Sequence, residues 1–249
     1  VPPPTGIAGE VTSEHLTMLL ESKPEVVSFH FGLPSRDVVK AIKDAGIFII
    51  SSATTAEEAR ILEASGVDAV IAQGTEAGGH RATFTGVDMT MQAGLFSLLP
   101  QVVDAIRVPV IAAGGIADER TVAAAFMLGA SAIQMGTAFL RCEEANVLPA
   151  HREALARADE SCTLVTDLLT GRPARYIRNK LVDDLTSSGL KPLPIPMQLS
   201  LTMPLGNSGD GELTLLLSGQ SAGLVQHTTA AELVQTLGEN ALRRLRSFA

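Results

Sequence analysis

What the chain is short of narrows it first. Only two cysteines, Cys142 and Cys162, occur in 249 residues. That is too few for a disulfide framework, they lack metal-ligand spacing, and they fit a reducing compartment, so the expected location is cytoplasmic. Apolar runs never exceed strand length, and no basic region followed by a hydrophobic stretch stands near the N-terminus. Neither a membrane span nor a secretory signal is expected. Cationic runs are missing too, and with a net charge of −8 the chain has no face suited to nucleic acid or an anionic membrane. No Ser-His-Asp order, HExxH, CxxC pair or P-loop appears, which leaves triad hydrolysis, zinc proteolysis and NTP hydrolysis without support.

What is present is a folded composition, 46% hydrophobic with 18% charged residues, at a length usual for a (β/α)8 barrel. The stretch VPVIAAGGIADERTVAAAFMLGASAIQMGTAFL (108–140) organises the rest. Two short apolar runs, Pro109 to Ala113 and Ala132 to Met135, flank one helix-length amphipathic segment, the pattern of a βαβ unit in a parallel sheet. Gly114 and Gly115 follow the first run, and Gly136 and Thr137 follow the second. Bare amides on one rim suit a phosphate, although Gly-Gly after a buried strand is also ordinary α/β turn chemistry.

Upstream, residues 1–9 (VPPPTGIAG) have linker composition. Thr12 or Ser13 caps a short helix carrying Leu16, Leu19 and Leu20. Val26 to Phe31 reads as a buried strand, followed by a helix capped at Ser35. Ile47 to Ser51 is the next strand, and Thr55 with Glu58 forms a capping box for the next helix. Val67 to Ala72 is a third strand, leading into the glycine-rich loop 73–86. A helix over 94–106, capping at Asp118 and a stop at Gly129 complete five strands, each followed by a helix. Past Leu140 the alternation ends. Residues 149–184 read as helical, 186–212 as an irregular connection and 229–247 as a final helix.

His80 is the most suggestive titratable residue, because it stands in a glycine-rich loop at the C-terminal end of a strand, where barrel enzymes keep catalytic groups. It suits a general base near neutral pH, although a lone loop histidine is more often a solvated or structurally bonded side chain. Glu76, four residues earlier, can orient it or simply be solvated. His30 shares a strand face with Ser28 and Gly32, and reads as a packed core histidine. Cys142 and Cys162 read as inert small hydrophobes.

Four segments, SFHFG (28–32), AQGTEAGGHR (72–81), PVIAAGGIADERTVAAAFMLGASAIQMGT (109–137) and GRPARYIRNK (171–180), together resemble the nitronate monooxygenase family of FMN enzymes on a TIM barrel. SGQSAGLV (218–225) fits that family's C-terminal region. The resemblance implies that Gly114, Gly115, Gly136 and Thr137 hold the FMN phosphate, that Gly78 and Gly79 lie close to the flavin, and that Ala113 and Gln134 line it. It implies His80 as the active-site histidine, no metal, and oxidation of alkyl nitronates or nitroalkanes with O2 to a carbonyl compound and nitrite. Ser52 stands where some relatives carry lysine. A related FMN-dependent enoyl-ACP reductase is the alternative, separated by its need for NAD(P)H, and an IMP-dehydrogenase-like barrel lacks its required cysteine in 73–93. The same likeness sets the expected fold as a (β/α)8 barrel of which strands 4 to 8 are present and strands 1 to 3 absent. The division expected is 1–145 as barrel and 146–249 as a mainly helical extension. A chain supplying missing strands, a homo-oligomer, or a non-catalytic fragment are the corresponding partner and activity expectations.

Overall fold

The computed structural model describes residues 11–86 and 88–247, so the linker expected over 1–9 lies outside the described residues. The chain opens with α1 (Ser13–Ser22), where the Thr12 hydroxyl accepts the His15 amide and the His15 ring accepts the Thr12 amide. Then come β1 (Val26–Phe29), α2 (Arg36–Asp44), β2 (Phe48–Ala53), α3 (Ala56–Ala64) and β3 (Ala69–Gln73). The glycine-rich loop contributes a two-residue strand, β4 (Gly79–His80), before α4 (Leu95–Ala105), β5 (Val110–Ala113), α5 (Glu119–Met127), β6 (Ala132–Gln134) and α6 (Thr137–Leu140).

Strands β1, β2, β3, β5 and β6 form one parallel sheet in that order, the α/β class read from the glycine-bounded apolar runs. The expectation that strands 1 to 3 would be missing is not supported. The sheet has its own β1, β2 and β3, hydrogen-bonded in sequential register from Val26↔Phe48 onward.

Period-2 alternation splits this sheet into two faces. Ile49, Val70, Ala72, Val110 and Ala112 turn toward the helices and join Ile42, Leu62, Leu99 and Val122 in the main core. Each Val, Leu or Ile side chain among them contributes about 1.5–3 kcal/mol by leaving water. The opposite face carries Ser52, Ile71, Gln73, Ala113 and Gln134, and it lines a cavity.

Beyond Leu140 the structure departs from the sequence reading. Residues 149–184 are not one helical stretch: α7 (Pro149–Ala156) is followed by β7 (Thr163–Thr166) and β8 (Ala174–Ile177), which pair antiparallel with each other, and β8 pairs with β4. The physical reason is long-range. Arg175, central to β8, is buried and donates to the Thr75 carbonyl at 2.8 and 3.0 Å, a partner 100 residues away that no local pattern reveals. Helix α8 (Lys180–Ser188) is capped by the Asn179 side chain. The connection read as irregular holds α9 (Met197–Gly206), which tolerates Pro204 in its last turn. The closing α10 (Ala230–Arg246) is capped by Thr229 and lies against α5, where Arg244 reaches Glu119 at 3.3 Å.

Candidate active site

The cavity lies at the C-terminal ends of the parallel strands and has a volume of about 350 Å3, within the ~300–1,000 Å3 usual for small-molecule sites. Ala113, Gly114 and Gly115 enter it from the end of β5, and Gln134, Gly136 and Thr137 from the end of β6. Gly78 and Gly79 face them from the loop after β3. Gly114 and Gly115 adopt φ of +99° and +70°, a left-handed backbone that glycine takes without strain. Around Gly136, a Cβ would meet nothing within 4 Å. At Gly136 the rim therefore presents backbone with no side chain over it, whereas Ala77 and the Glu76 side chain lie against Gly114 and Gly115; no lysine or arginine stands in the wall, so an anion held there would rest on backbone amides.

The fourth wall comes from late in the chain. Gly219 donates its amide to the Thr137 hydroxyl at 2.9 Å, Gln220 donates to the Glu76 carbonyl at 2.9 Å, and the Ser221 hydroxyl donates to the Gly115 carbonyl at 2.8 Å. Gly78 must be glycine for this docking, since a Cβ there would lie 2.5 Å from the Gly219 nitrogen. Sequence reading singled out SGQSAGLV only by likeness; its contact with the rim was not visible in its composition.

Glu76 does not orient His80. Its carboxylate accepts the Leu95 amide at 2.9 Å through both oxygens, capping α4 where Gly94 supplies no side-chain acceptor. Glu58 also departs from its expected part. Thr55 does accept the Glu58 amide, but the Glu58 side chain turns inward instead of closing a capping box. One oxygen binds the Thr54 amide and hydroxyl, and the other accepts the amides of Phe84 and Thr85. Burial works against its charge, yet these donors outweigh it and hold the carboxyl below its usual range.

His80 is pinned from several sides. Its backbone pairs with Ala174 of β8, its carbonyl accepts from the Gln73 side chain at 3.0 Å, and its Nε2 lies 2.8 Å from the Thr170 hydroxyl. It is not among the residues lining the cavity; His30 is. His30, the residue that follows β1, is thus not a packed core histidine: it is exposed and lines the cavity. Phe31 sits between the two imidazoles, with ring centroids 4.5 Å from His30 and 6.0 Å from His80. It holds φ at +66°, a costly conformation for a bulky residue, and Arg172 lies over its ring at 3.9 Å.

Both imidazoles are held below the usual histidine pKa. For His80 the cause is desolvation first, then repulsion from His30 and Arg172. For His30 it is desolvation first, opposed by the His80 backbone and reinforced by Arg172 and Arg81. Both shifts favour the neutral imidazole, the form able to accept a proton.

Two further residues escaped the sequence reading. Arg81 is 1% exposed and braces the loop: Nη1 donates to Gln73 Oε1 and the Gly74 carbonyl, Nη2 to the Gln73 carbonyl and Gln92 Oε1. His151 of α7 lines the cavity and contacts the Leu217 carbonyl at 2.9 Å. Among the described residues, no group of three or more His, Cys, Asp or Glu side chains could hold a metal ion, and no helix is long and apolar enough to cross a membrane.

Comparison with known proteins agrees with this geometry. The family described as nitronate monooxygenase matches residues 5–240. Nitronate monooxygenase from Pseudomonas aeruginosa is 43% identical over 229 residues, covering 90% of this chain and 65% of that protein. Nitroalkane oxidase from Streptomyces ansochromogenes superposes with a TM-score of 0.89 at 38% identity, covering 94% of this chain and 69% of that one. FabK from Thermotoga maritima superposes with a TM-score of 0.79 at 31% identity, covering 95% and 75%. The chain spans about 65% of the length of the curated relatives it matches.

Proposed function

The chain belongs to the nitronate monooxygenase family, and on that premise we propose that it oxidises alkyl nitronates with O2 to a carbonyl compound and nitrite, using FMN. The observation that carries this reading is the convergence of Gly114, Gly115, Gly136 and Thr137 on one cavity wall opposite Gly78 and Gly79. The backbone there, open at Gly136, fits the phosphate of a flavin mononucleotide, while Ala113 and Gln134 lie where they can flank the ring system. FMN, when bound, supplies the one-electron step between nitronate and O2.

The chain's own residues bind, orient and move a proton. With a neutral nitroalkane, His80 takes the proton from the carbon bearing the nitro group. That C–H bond breaks, the proton passes to the imidazole, and the electron pair moves onto the nitro group to give the nitronate. A preformed nitronate bypasses this step. The second reading assigns the base to His30, and what favours it is that His30 lines the cavity.

Assays of nitrite release and O2 uptake test the whole reading. We expect nitrite without consumption of NAD(P)H; dependence on NAD(P)H would favour the reductase alternative. His80→Asn is expected to lower turnover of neutral nitroalkanes by roughly 10²–10⁴-fold, the share of a general base, with a far smaller effect on preformed nitronates. If His30→Asn gives that selective loss instead, the base is His30. The two cysteines are free thiols, which supports the cytoplasmic expectation.

A further inference from the structure

We infer that Thr170 is a positioning residue that fixes the tautomer of His80, keeping the proton on Nε2 and leaving Nδ1 as the proton acceptor. A threonine hydroxyl has one proton and two acceptor lone pairs. The Thr170 hydroxyl lies 3.1 Å from the Arg172 carbonyl, and a carbonyl can only accept, so the single hydroxyl proton goes there; the neighbouring Tyr176 hydroxyl, which has a proton of its own, can fill one of the two lone pairs and leaves the other for His80. The same oxygen is 2.8 Å from His80 Nε2, a contact that then requires Nε2 to be the donor. Among the described residues His80 Nδ1 has no hydrogen-bond partner, so nothing competes for its lone pair.

The geometry around Thr170 is rigid enough to enforce this. Thr170 is 2% exposed, in the turn between β7 and β8, and its amide donates to the Asp167 carbonyl at 3.3 Å. Arg172, whose carbonyl takes the hydroxyl proton, is itself fixed by its stack on Phe31 and by donation to the Thr83 carbonyl at 3.2 Å. The charged and titratable groups facing His80 are Arg172 and His30, and repulsion from both opposes protonation of the ring. A neutral imidazole with a defined tautomer is what a base needs, since the wrong tautomer offers an N–H where a lone pair is required.

This inference rests on His80 being the base, and its test separates the two. Nitrogen NMR of the full chain labelled with 15N-histidine, flavin-free and above pH 6.5, reads the tautomer directly, with His80 assigned by its loss in His80→Asn. We expect Nε2 protonated and Nδ1 unprotonated in the unmodified chain and in Thr170→Ser. In Thr170→Val a mixture of tautomers is expected, with kcat/KM for a neutral nitroalkane down roughly tenfold, within the range seen when an orienting partner is removed, and little change on a preformed nitronate. A protonated Nδ1 in the unmodified chain overturns the inference, even if the Val variant does not fold. So does an unchanged tautomer in Thr170→Val. If the tautomer shifts as expected while His80→Asn processes neutral nitroalkanes normally, the Thr170 assignment stands and the base assignment falls.

Discussion

The carboxylate of Glu58, on α3, accepts the backbone amide of Phe84 at 2.8 Å, joining the second βα unit to the loop that carries His80. The bond spans 26 residues, and Thr54, Thr83 and Thr85 supply further donors to the same carboxylate. Removing this acceptor strands buried amides, so Glu58→Ala is expected to cost on the order of 2–4 kcal/mol, with one or more charge-assisted bonds lost. Urea unfolding monitored by circular dichroism measures it; an unchanged midpoint would contradict the role.

Acid stability should fall in two windows. For a histidine whose folded pKa lies below its unfolded value of 6.5, the unfolded chain binds more protons, so stability declines as pH drops below 6.5 toward the folded value. Glu58 has its folded pKa below the ordinary 4.5, so its contribution is present above 4.5 and is lost as pH falls further toward the folded value. Thermal melts from pH 8 to 3 should show the first decline flattened in His80→Asn and the second flattened in Glu58→Gln.

Gly136 and Gly114 should separate folding from cofactor binding. A Cβ on Gly136 meets open space, so Gly136→Ala is expected to leave the melting temperature nearly unchanged while weakening FMN binding. Gly114 has φ +99° and a Cβ there would lie 3.0 Å from the Ala77 nitrogen, so Gly114→Ala is expected to cost about 1–2 kcal/mol from the left-handed backbone alone. Fluorescence titration of FMN alongside a melt distinguishes them, and equal affinity in Gly136→Ala would remove that residue from the phosphate site.

Arg81→Lys is expected to be far from conservative. A lysine has no planar fork to serve Gln73, Gly74 and Gln92 together, and burial already lowers the Arg81 pKa to about 10. The loss should be roughly 2–4 kcal/mol, read by chemical denaturation, with limited proteolysis cutting first between residues 74 and 93.

How far the sequence could be read follows from the range of the forces involved. The parallel βα alternation was legible because it is local: an apolar run closed by Gly114 and Gly115, helices stopped at Gly66 and Gly129, and caps such as Asp118 all act within a few residues. The rim glycines were legible for the same reason. Strands β7 and β8 were not, since TLVT and ARYI carry polar and charged residues whose partners lie far off, Arg175 on Thr75 being the plainest case. His30 was misjudged because a strand's face can be read from period 2, but which face is covered cannot. Helix α9 escaped because MQLSLTMPLG has neither an amphipathic stripe nor a capping side chain.

The bonds from Gly219, Gln220 and Ser221 to Thr137, Glu76 and Gly115 close loops of 82 to 144 residues. Contacts so distant along the chain form late, because their closure entropy has to be met before they contribute. On a ribosome the rim at the ends of β5 and β6 would therefore exist for some time as an open ledge, and the cavity would be completed only after residues 219–221 had emerged and docked.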